Sequence, residues 1–477
     1  MTELRDGEIP ETRRALGRAF QTLGREHGFE PLTTEGTIPK ELRGTFYRNG
    51  PALYELFGRP YVHYFDGDGA ISAFRFRDGR VEGAVRVTET PDLTEERRAG
   101  RALYGSGFTK GPLWRKRVFA RAKNPTNIHV LAIGRKLWAM PEMGVPIAID
   151  PETLSTRGPD PFGGVLRQMT NAHCRTDPES GVTYTSGLSM EMSMTTSLHV
   201  YAFDASGAAR HLTSVPLGGF VVMLHDFALT KRWLVFVAHP VRVRLLPVIF
   251  GLSAPAEPMQ WRPELGSEVL LVERAPPHRV TRFRMDTFFH FHFANAFDRD
   301  DGTVVTDVCA YDTMDAPEVM NVIDARSGRA WVRGAKSRLD RITLDPARMK
   351  GDRETIASEV VDFPTTAARA QTHDYRYVYP MLTREHRDLV AKLDVQTGDV
   401  EVGDLGRWRC PGEASFVPRD GATGEDDGWL LTLAYDAERH RSGVAILDAA
   451  RIGEGAIGWA WMEQHVPFPI HGCFVPG

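Results

Sequence analysis

The chain has little cysteine, no long apolar run, no excess of one charge and no low-complexity tract, and each shortage removes a class of function. Its four cysteines, Cys174, Cys309, Cys410 and Cys473, are far apart in 477 residues and form no C-x-x-C pair, so neither a disulfide framework nor a thiolate zinc site is indicated. A reducing cytoplasm fits. The longest uncharged apolar stretch, Leu245 to Leu252 (LLPVIFGL), falls well short of the roughly 18 to 20 residues that a transmembrane helix needs. Flanked by Arg242 and Arg244, it reads equally as a buried loop or as a peripheral membrane contact, with apolar side chains dipping in and arginines meeting headgroups. With 58 basic and 62 acidic residues and a net charge of -4, the chain offers no field for nucleic acid. No Pro-, Ser- or Gln-rich linker divides it, so one domain is expected over 1–477, with a helical lead-in over 1–35. In that lead-in Arg13, Arg14 and Arg18 lie among Leu16, Phe20 and Leu23 with no apolar core of a secretory signal, which reads as a short surface helix.

What is present is a period of two. In YVHYFDGDGAISAFRFRDGRVEGAVRV, Asp66 to Gly69 and Asp78-Gly79 punctuate alternating runs, the pattern of β-hairpins. Similar punctuation recurs at Ser206-Gly207, Ser327-Gly328 and Thr397-Gly398, and strand-like runs close the chain in GWLLTLAYD and GVAILDAARI. So many short strands need an architecture that limits exposed edges. A propeller of about seven blades, at roughly 60 to 70 residues each, does so with length left for a cap of loops and short helices. Two stacked sandwiches satisfy the same pattern.

Of sixteen histidines, four stand in apolar or small-residue surroundings suited to a buried ligand: His173 in QMTNAHCRTDPESG, His225 in VVMLHDFALT, His292 in FFHFHFANAFDRDDG and His471 in PFPIHGCFVPG. Any one alone is more often a hydrogen-bonded core residue. As a set they suit iron, copper, nickel or zinc, and imidazole by itself does not choose among these. Four neutral ligands leave a divalent charge uncompensated, so carboxylates accepting the other ring N–H are expected. Glu142 in LWAMPEMGVP and Glu413 in PGEASFVPR qualify, because each interrupts an apolar or small-residue stretch. A solvated loop glutamate reads the same way at this level.

Two longer motifs, GTFYRNGP with HYFDGDGAISAFRF near the N-terminus and GEASFVPRDGATGEDDGWLLTLAYD near the C-terminus, together with the four histidine contexts, resemble the carotenoid cleavage oxygenases nearly end to end. The resemblance implies an all-β, seven-bladed propeller with an axial iron(II) held by His173, His225, His292 and His471. In FHFHFANAF the family's ligand lies three residues before the asparagine, which selects His292 over His290; His63 and His129 carry no ligand role. Two of three outer glutamates fall on Glu142 and Glu413. The third is replaced by Asp362 in VVDFPTTAARA, one methylene shorter, with Glu359 as a poorer substitute. Thr126 in NPTNIHV matches a threonine beside the open coordination positions.

Four protein ligands on an octahedral ion leave two positions open, and iron(II), unlike zinc, can donate an electron to O2 there. The implied activity is oxidative cleavage of a carbon-carbon double bond in a carotenoid or apocarotenoid, giving two carbonyl products. Stilbene-cleaving relatives carry a lysine just before the first outer glutamate, where this chain has Pro141, which favours an apolar polyene. A stilbene-type dioxygenase and, from another class, a non-catalytic propeller with a vestigial metal site are the alternatives.

Overall fold

The structure is a computed structural model that describes residues 11–112, 122–190, 195–217, 224–250, 252–314, 321–328 and 336–477. Seven antiparallel sheets of four or five strands succeed one another along the chain as blades, and two short two-stranded ribbons accompany them. Blade 1 holds His27–Pro31, Gly44–Leu53, Asp68–Arg77 and Arg80–Val87, blade 2 runs from His129–Ile133 to Thr156–Pro159, and blade 3 from Met169–Thr176 to Ala209–Pro216. Blade 4 spans Ala228–Leu229 to Val280–Met285, blade 5 Phe289–Asp298 to Lys350–Ala357, blade 6 Val360–Thr365 to Val400–Gly403, and blade 7 Arg409–Pro418 to Ala456–Trp461.

The ring closes by exchange of terminal strands. Gly472–Pro476, the last strand, pairs with Gly44–Leu53 of blade 1, and Thr33–Gly36 pairs with Ala456–Trp461 of blade 7. Circular closure thus uses antiparallel hydrogen bonds to strands from the opposite end of the chain, which complete blades 1 and 7.

A blade cannot bury both of its faces alone, and seven hydrophobic clusters lie between consecutive blades. Tyr47 and Ile71 meet Val130 and Ile147 between blades 1 and 2, Trp138 and Phe162 meet Tyr201 and Phe203 between 2 and 3, and Val235 and Leu271 meet Phe293 and Val308 between 4 and 5. The last interface sets Phe46 and Phe74 against Leu431 and Val444. Fully burying each such side chain is worth about 1.5 to 3 kcal/mol. Because both blade faces are covered, strands such as Trp233–Ala238 (WLVFVA) are buried at every position and read as continuous apolar runs where one-sided sheets would alternate.

The expected hairpin turns at Asp78-Gly79, Ser206-Gly207 and Thr397-Gly398 each join two paired strands. Ser327-Gly328 does not: it ends the helix Val322–Ser327, with Gly328 at φ 80° as its left-handed cap. The lead-in also differs from expectation. Helical turns occupy only Glu11–Leu16 and Gly17–Phe20, while His27–Pro31 and Thr33–Gly36 are strands, and residues 1–10 lie outside the described residues. Nor is it a surface helix. Arg13 is fully buried and paired with Asp388 at 3.1 Å, and Gly17 comes so close to the helix Val322–Ser327 that a Cβ there would meet the Arg326 carbonyl oxygen at 2.2 Å.

Candidate metal centre

The inner strands of blades 3, 5, 6 and 7 each bring a histidine or carboxylate to the propeller axis at a break in strand register. Pairing shifts between Thr170 and Cys174 around His173, between His290 and Asn295 around His292, from Asp362 to Thr365, and between Pro411 and Ala414 around Glu413. A bulge adds a residue to one strand and turns its side chain out of the regular alternation. Here the extra residues turn histidines and carboxylates toward a common point. His225 and His471 lie just outside strands, before Ala228–Leu229 and Gly472–Pro476.

All four histidines predicted as ligands come together, buried, with one ring nitrogen from each lying within 4.8 Å of the others. The Nε2 atoms of His173 and His225 are 3.1 Å apart, those of His225 and His292 3.3 Å, and those of His292 and His471 3.1 Å. Two nitrogens bound at right angles at about 2.1 Å from one ion would be about 3 Å apart. The outer carboxylates fix the tautomers. His225 Nδ1 is 3.0 Å from Glu142 Oε2, His292 Nδ1 is 2.7 Å from Asp362 Oδ1, and His471 Nδ1 is 2.8 Å from Glu413 Oε1. Each Nδ1–H donates to its acid, so each Nε2 presents a bare lone pair. Lone pairs facing one another at 3 Å repel unless a cation lies between them.

The charge count leads to the same conclusion. Glu142, Asp362 and Glu413 bring three negative charges, and among the described residues only Glu413 has a guanidinium, that of Arg48, at 2.7 Å. The partly buried carboxylates of Glu142 and Asp362 keep two uncompensated negative charges, which a divalent ion cancels. The residues therefore fit a four-histidine divalent metal site.

Asp362 reaches His292 directly despite its shorter side chain. The backbone bulges there and Phe363 adopts φ 53°, while the Phe363 N–H donates to Asp362 Oδ1 at 2.8 Å. Burial raises the Asp362 pKa, but His292, with hydrogen bonds from His292, Tyr311 and the Phe363 N–H, outweighs it and holds the carboxyl below its ordinary range. Glu359 is instead paired with Arg384 at 3.5 Å near the surface. His173 has no acid within hydrogen-bonding distance, its Nδ1 lying 3.7 Å from Asp226 Oδ1.

The remaining singled-out residues divide. Thr126 is buried at φ 48°, and its hydroxyl donates to Asn124 Oδ1 at 2.9 Å. His129 stacks on His173 with ring centroids 5.7 Å apart; burial pushes its pKa down to about 3, so it stays neutral. His290 packs against His239 at 4.5 Å. Sequence reasoning missed Arg48, whose Nη1 donates to Glu413 and whose Nη2 donates to the Ile470 carbonyl at 2.6 Å. Its signal was present in GTFYRNGP, where an arginine sits inside an otherwise uncharged strand.

Two environments meet the histidines. A polar cavity of about 170 Å³ is lined by His173, His292 and His471 with Thr365, Thr366 and Gln371. Aromatic rings stand elsewhere: Phe291 is 5.5 Å from His225, and Phe363 is 5.0 Å from His292 and 5.2 Å from His471. Phe65, Phe289, Tyr311 and Trp261 extend this wall. His63, two residues before Phe65, is bridged to Asn321.

Comparison with known proteins agrees with this geometry. Residues 20–476 match the family model described as retinal pigment epithelial membrane protein. An apocarotenoid-15,15'-oxygenase from Synechocystis is 34% identical over 96% of this chain and 95% of its own length. An isoeugenol monooxygenase from Pseudomonas nitroreducens is 29% identical over 93% of this chain and 94% of its own, and a resveratrol cleavage oxygenase from Aspergillus fumigatus is 29% identical over 95% and 93%. The crystal structure of the cobalt-substituted Synechocystis apocarotenoid oxygenase superimposes with a TM-score of 0.88 at 31% identity, covering 98% of this chain and 99% of that one. With its seven blades, its four axial histidines and a family match over nearly its whole length, the chain belongs to the retinal pigment epithelial membrane protein family, the carotenoid cleavage oxygenases.

Proposed function

We propose that the chain is an iron(II)-dependent dioxygenase that splits one carbon-carbon double bond of a carotenoid or apocarotenoid with O2, one oxygen atom going to each of two carbonyl products. The observation that carries this reading is the set of three histidines, His225, His292 and His471, whose Nδ1–H groups are committed to carboxylates so that their Nε2 lone pairs converge. With His173 they would hold the ion. Iron(II) supplies the electrons that make ground-state O2 reactive, and neutral imidazoles suit it.

The protein's own work is positional. Glu142, Asp362 and Glu413 keep the imidazoles oriented and basic. The walls of Phe65, Phe291 and Phe363 give an apolar polyene a surface and exclude water near the reacting bond. Thr126, assigned beside the open positions, has its proton engaged by Asn124, so it acts there by bulk and not as an acid. Pro141 brings no charge to pair with a phenolate, which supports a polyene over the phenolic substrates named for some relatives.

An apolar polyene resides in membranes, and the Leu245 to Leu252 segment gives the protein a peripheral contact with them. Leu246, Phe250 and Leu252 are 66%, 54% and 63% exposed; Gly251 lies outside the described residues. The segment is anchored to the same rim as exposed Val62 and Ile323, through Ala256 N to the Gly107 carbonyl and Val322 N to the Val62 carbonyl. Among the described residues no helix is long and apolar enough to cross a membrane.

The test is anaerobic purification with iron(II), metal quantification, and addition of O2 with carotenoids, apocarotenoids and hydroxystilbenes. The reading expects about one iron per chain, polyene-derived carbonyls carrying label from 18O2, and loss of both iron and products in His292→Ala. Cleavage of hydroxystilbenes alone would favour the phenolic alternative, iron without turnover a non-catalytic propeller, and absence of iron would overturn the site.

A further inference from the structure

The three outer carboxylates are held in three different ways. Glu413 has its second oxygen on Arg48 at 2.7 Å. The second oxygen of Glu142, Oε1, is buried with no hydrogen-bond partner among the described residues. Asp362 gives Oδ1 to His292 and to the Phe363 N–H, and its Oδ2 accepts a hydrogen bond from the Tyr311 hydroxyl.

Tyr311 is placed for that role, with Asp362 the stronger influence on its hydroxyl and Ser337 a weaker side-chain partner. It ends the blade 5 strand Val304–Tyr311, opposite Phe289 in the pairing with Phe289–Asp298, and its buried ring meets Phe291 edge-on at 6.1 Å. Its hydroxyl points away from that wall's apolar contacts into the carboxylate of the neighbouring blade. A buried phenol needs a partner, and an aspartate bonded only through Oδ1, to His292 and the Phe363 N–H, would keep its Oδ2 without that donor. Each answers the other. Burial also pushes the Tyr311 hydroxyl well above the ordinary phenol range, so it remains a donor throughout the working pH range.

We infer that Tyr311 and Asp362 act as one unit that does for His292 what a longer acid would do alone, with Tyr311 a positioning residue for the metal site acting through Asp362. The shorter side chain must be drawn inward to reach the imidazole, and the phenol pins the oxygen that the imidazole leaves free, so the carboxylate plane cannot swing. Through the same residue the aromatic wall and the ligand set are mechanically joined. This inference rests on the metal-site reading above.

The test uses cobalt(II) as a spectroscopic ion with the full chain. Tyr311→Phe keeps the ring and removes only the donor. It is expected to weaken cobalt(II) binding about tenfold, the lower end of what loss of an outer partner costs, and to shift the visible absorption of the cobalt protein, while far-UV circular dichroism stays that of the parent. In an Asp362→Asn background, where the carboxylate is gone, the same change should add less than about twofold, the non-additivity of residues acting in series. Unchanged cobalt affinity and absorption in Tyr311→Phe, or a full further loss in the Asp362→Asn background, would overturn the inference. Should Tyr311→Phe not fold, the double variant Asp362→Glu with Tyr311→Phe, in which a longer acid no longer needs the phenol, should bind cobalt(II) within about twofold of the parent; failure to do so also overturns it. A parent protein that binds neither cobalt(II) nor iron(II) removes the metal reading itself, an outcome distinct from failure of the tyrosine's role.

Discussion

Arg175 Nη2 lies 2.5 Å from Asp226 Oδ2, and this pair ties together the segments that carry His173, His225 and His292. Arg175 is two residues beyond His173 and Asp226 directly follows His225. Asp226 accepts from the Phe293 N–H at 2.9 Å, next to His292, and Arg175 donates to the Phe293 carbonyl at 2.7 Å and the Phe227 carbonyl at 3.1 Å. The spacing of His173, His225 and His292 is therefore set by protein bonds. This also accounts for His173 needing no acid of its own, since the clamp holds its strand.

Arg175→Met should leave the fully buried Asp226 carboxylate unpaired, a change that costs about 3 to 5 kcal/mol. The expected result is a melting midpoint several degrees lower for the metal-free protein, partly recovered when metal is added because binding favours the folded state. Calorimetry of metal-free and loaded forms checks it. Equal midpoints for variant and parent would show that the pair is not a clamp.

Glu413→Gln and Glu142→Gln should separate metal affinity from stability. Both remove the charge that orients an imidazole, and both should lower metal affinity by about 10- to 100-fold. Only Glu413→Gln also strips Arg48, fully buried, of its carboxylate, so only it should lower the melting midpoint of the metal-free protein markedly. Metal content by mass spectrometry, read beside thermal melts, tests the distinction. Parallel stability losses in both variants would contradict it.

The blades were legible because a hairpin turn has local chemistry: Asp78 and Gly79 adopt φ 52° and 76°, the left-handed pair that such a turn requires. The same signal misleads at Ser327-Gly328, since a left-handed glycine caps a helix as readily as it turns a hairpin. The bulges at His173, His292, Asp362 and Glu413 could not be read, because a bulge is defined by the partner strand and not by its own sequence. Nor could local context separate His129, buried and stacked on His173, from the four convergent histidines; family resemblance did. Arg13 read as solvated because its partner, Asp388, lies 375 residues away.

Asp66 should give the protein a pH-dependent stability of identifiable origin. It is buried and accepts from Thr109 Oγ1 at 2.6 Å and the Phe108 N–H at 3.0 Å, yet burial outweighs these bonds and raises its pKa from 3.8 to about 6. An acid whose folded pKa lies above its unfolded value binds more proton when folded. Its contribution is complete below about pH 4 and is lost as pH rises through about 6, a change on the order of 3 kcal/mol. The difference in unfolding free energy between parent and Asp66→Asn should therefore move against the parent across that window and flatten above it. A difference independent of pH would show that Asp66 does not titrate there.

The exposed apolar segment yields the prediction most directly tied to substrate delivery. Leu246 and Phe250 are exposed, as are Arg242 and Arg244 just before them in the chain, a composition in which apolar side chains enter a lipid interface and arginines meet anionic headgroups. Withdrawing one leucine or phenylalanine from water is worth about 1.5 to 3 kcal/mol when complete, so replacing both by glutamate should weaken partition onto vesicles roughly a hundredfold or more. The added negative charges act in the same direction on anionic lipid. Co-sedimentation of Leu246→Glu with Phe250→Glu on phosphatidylglycerol vesicles is the measurement, with turnover of micelle-delivered substrate as the control. Turnover in micelles should persist, because both side chains are largely exposed to solvent, while turnover of vesicle-borne substrate should fall with binding. Unchanged sedimentation would return the segment to an ordinary surface loop, and equal losses in micelles and vesicles would place its role in folding, not in delivery.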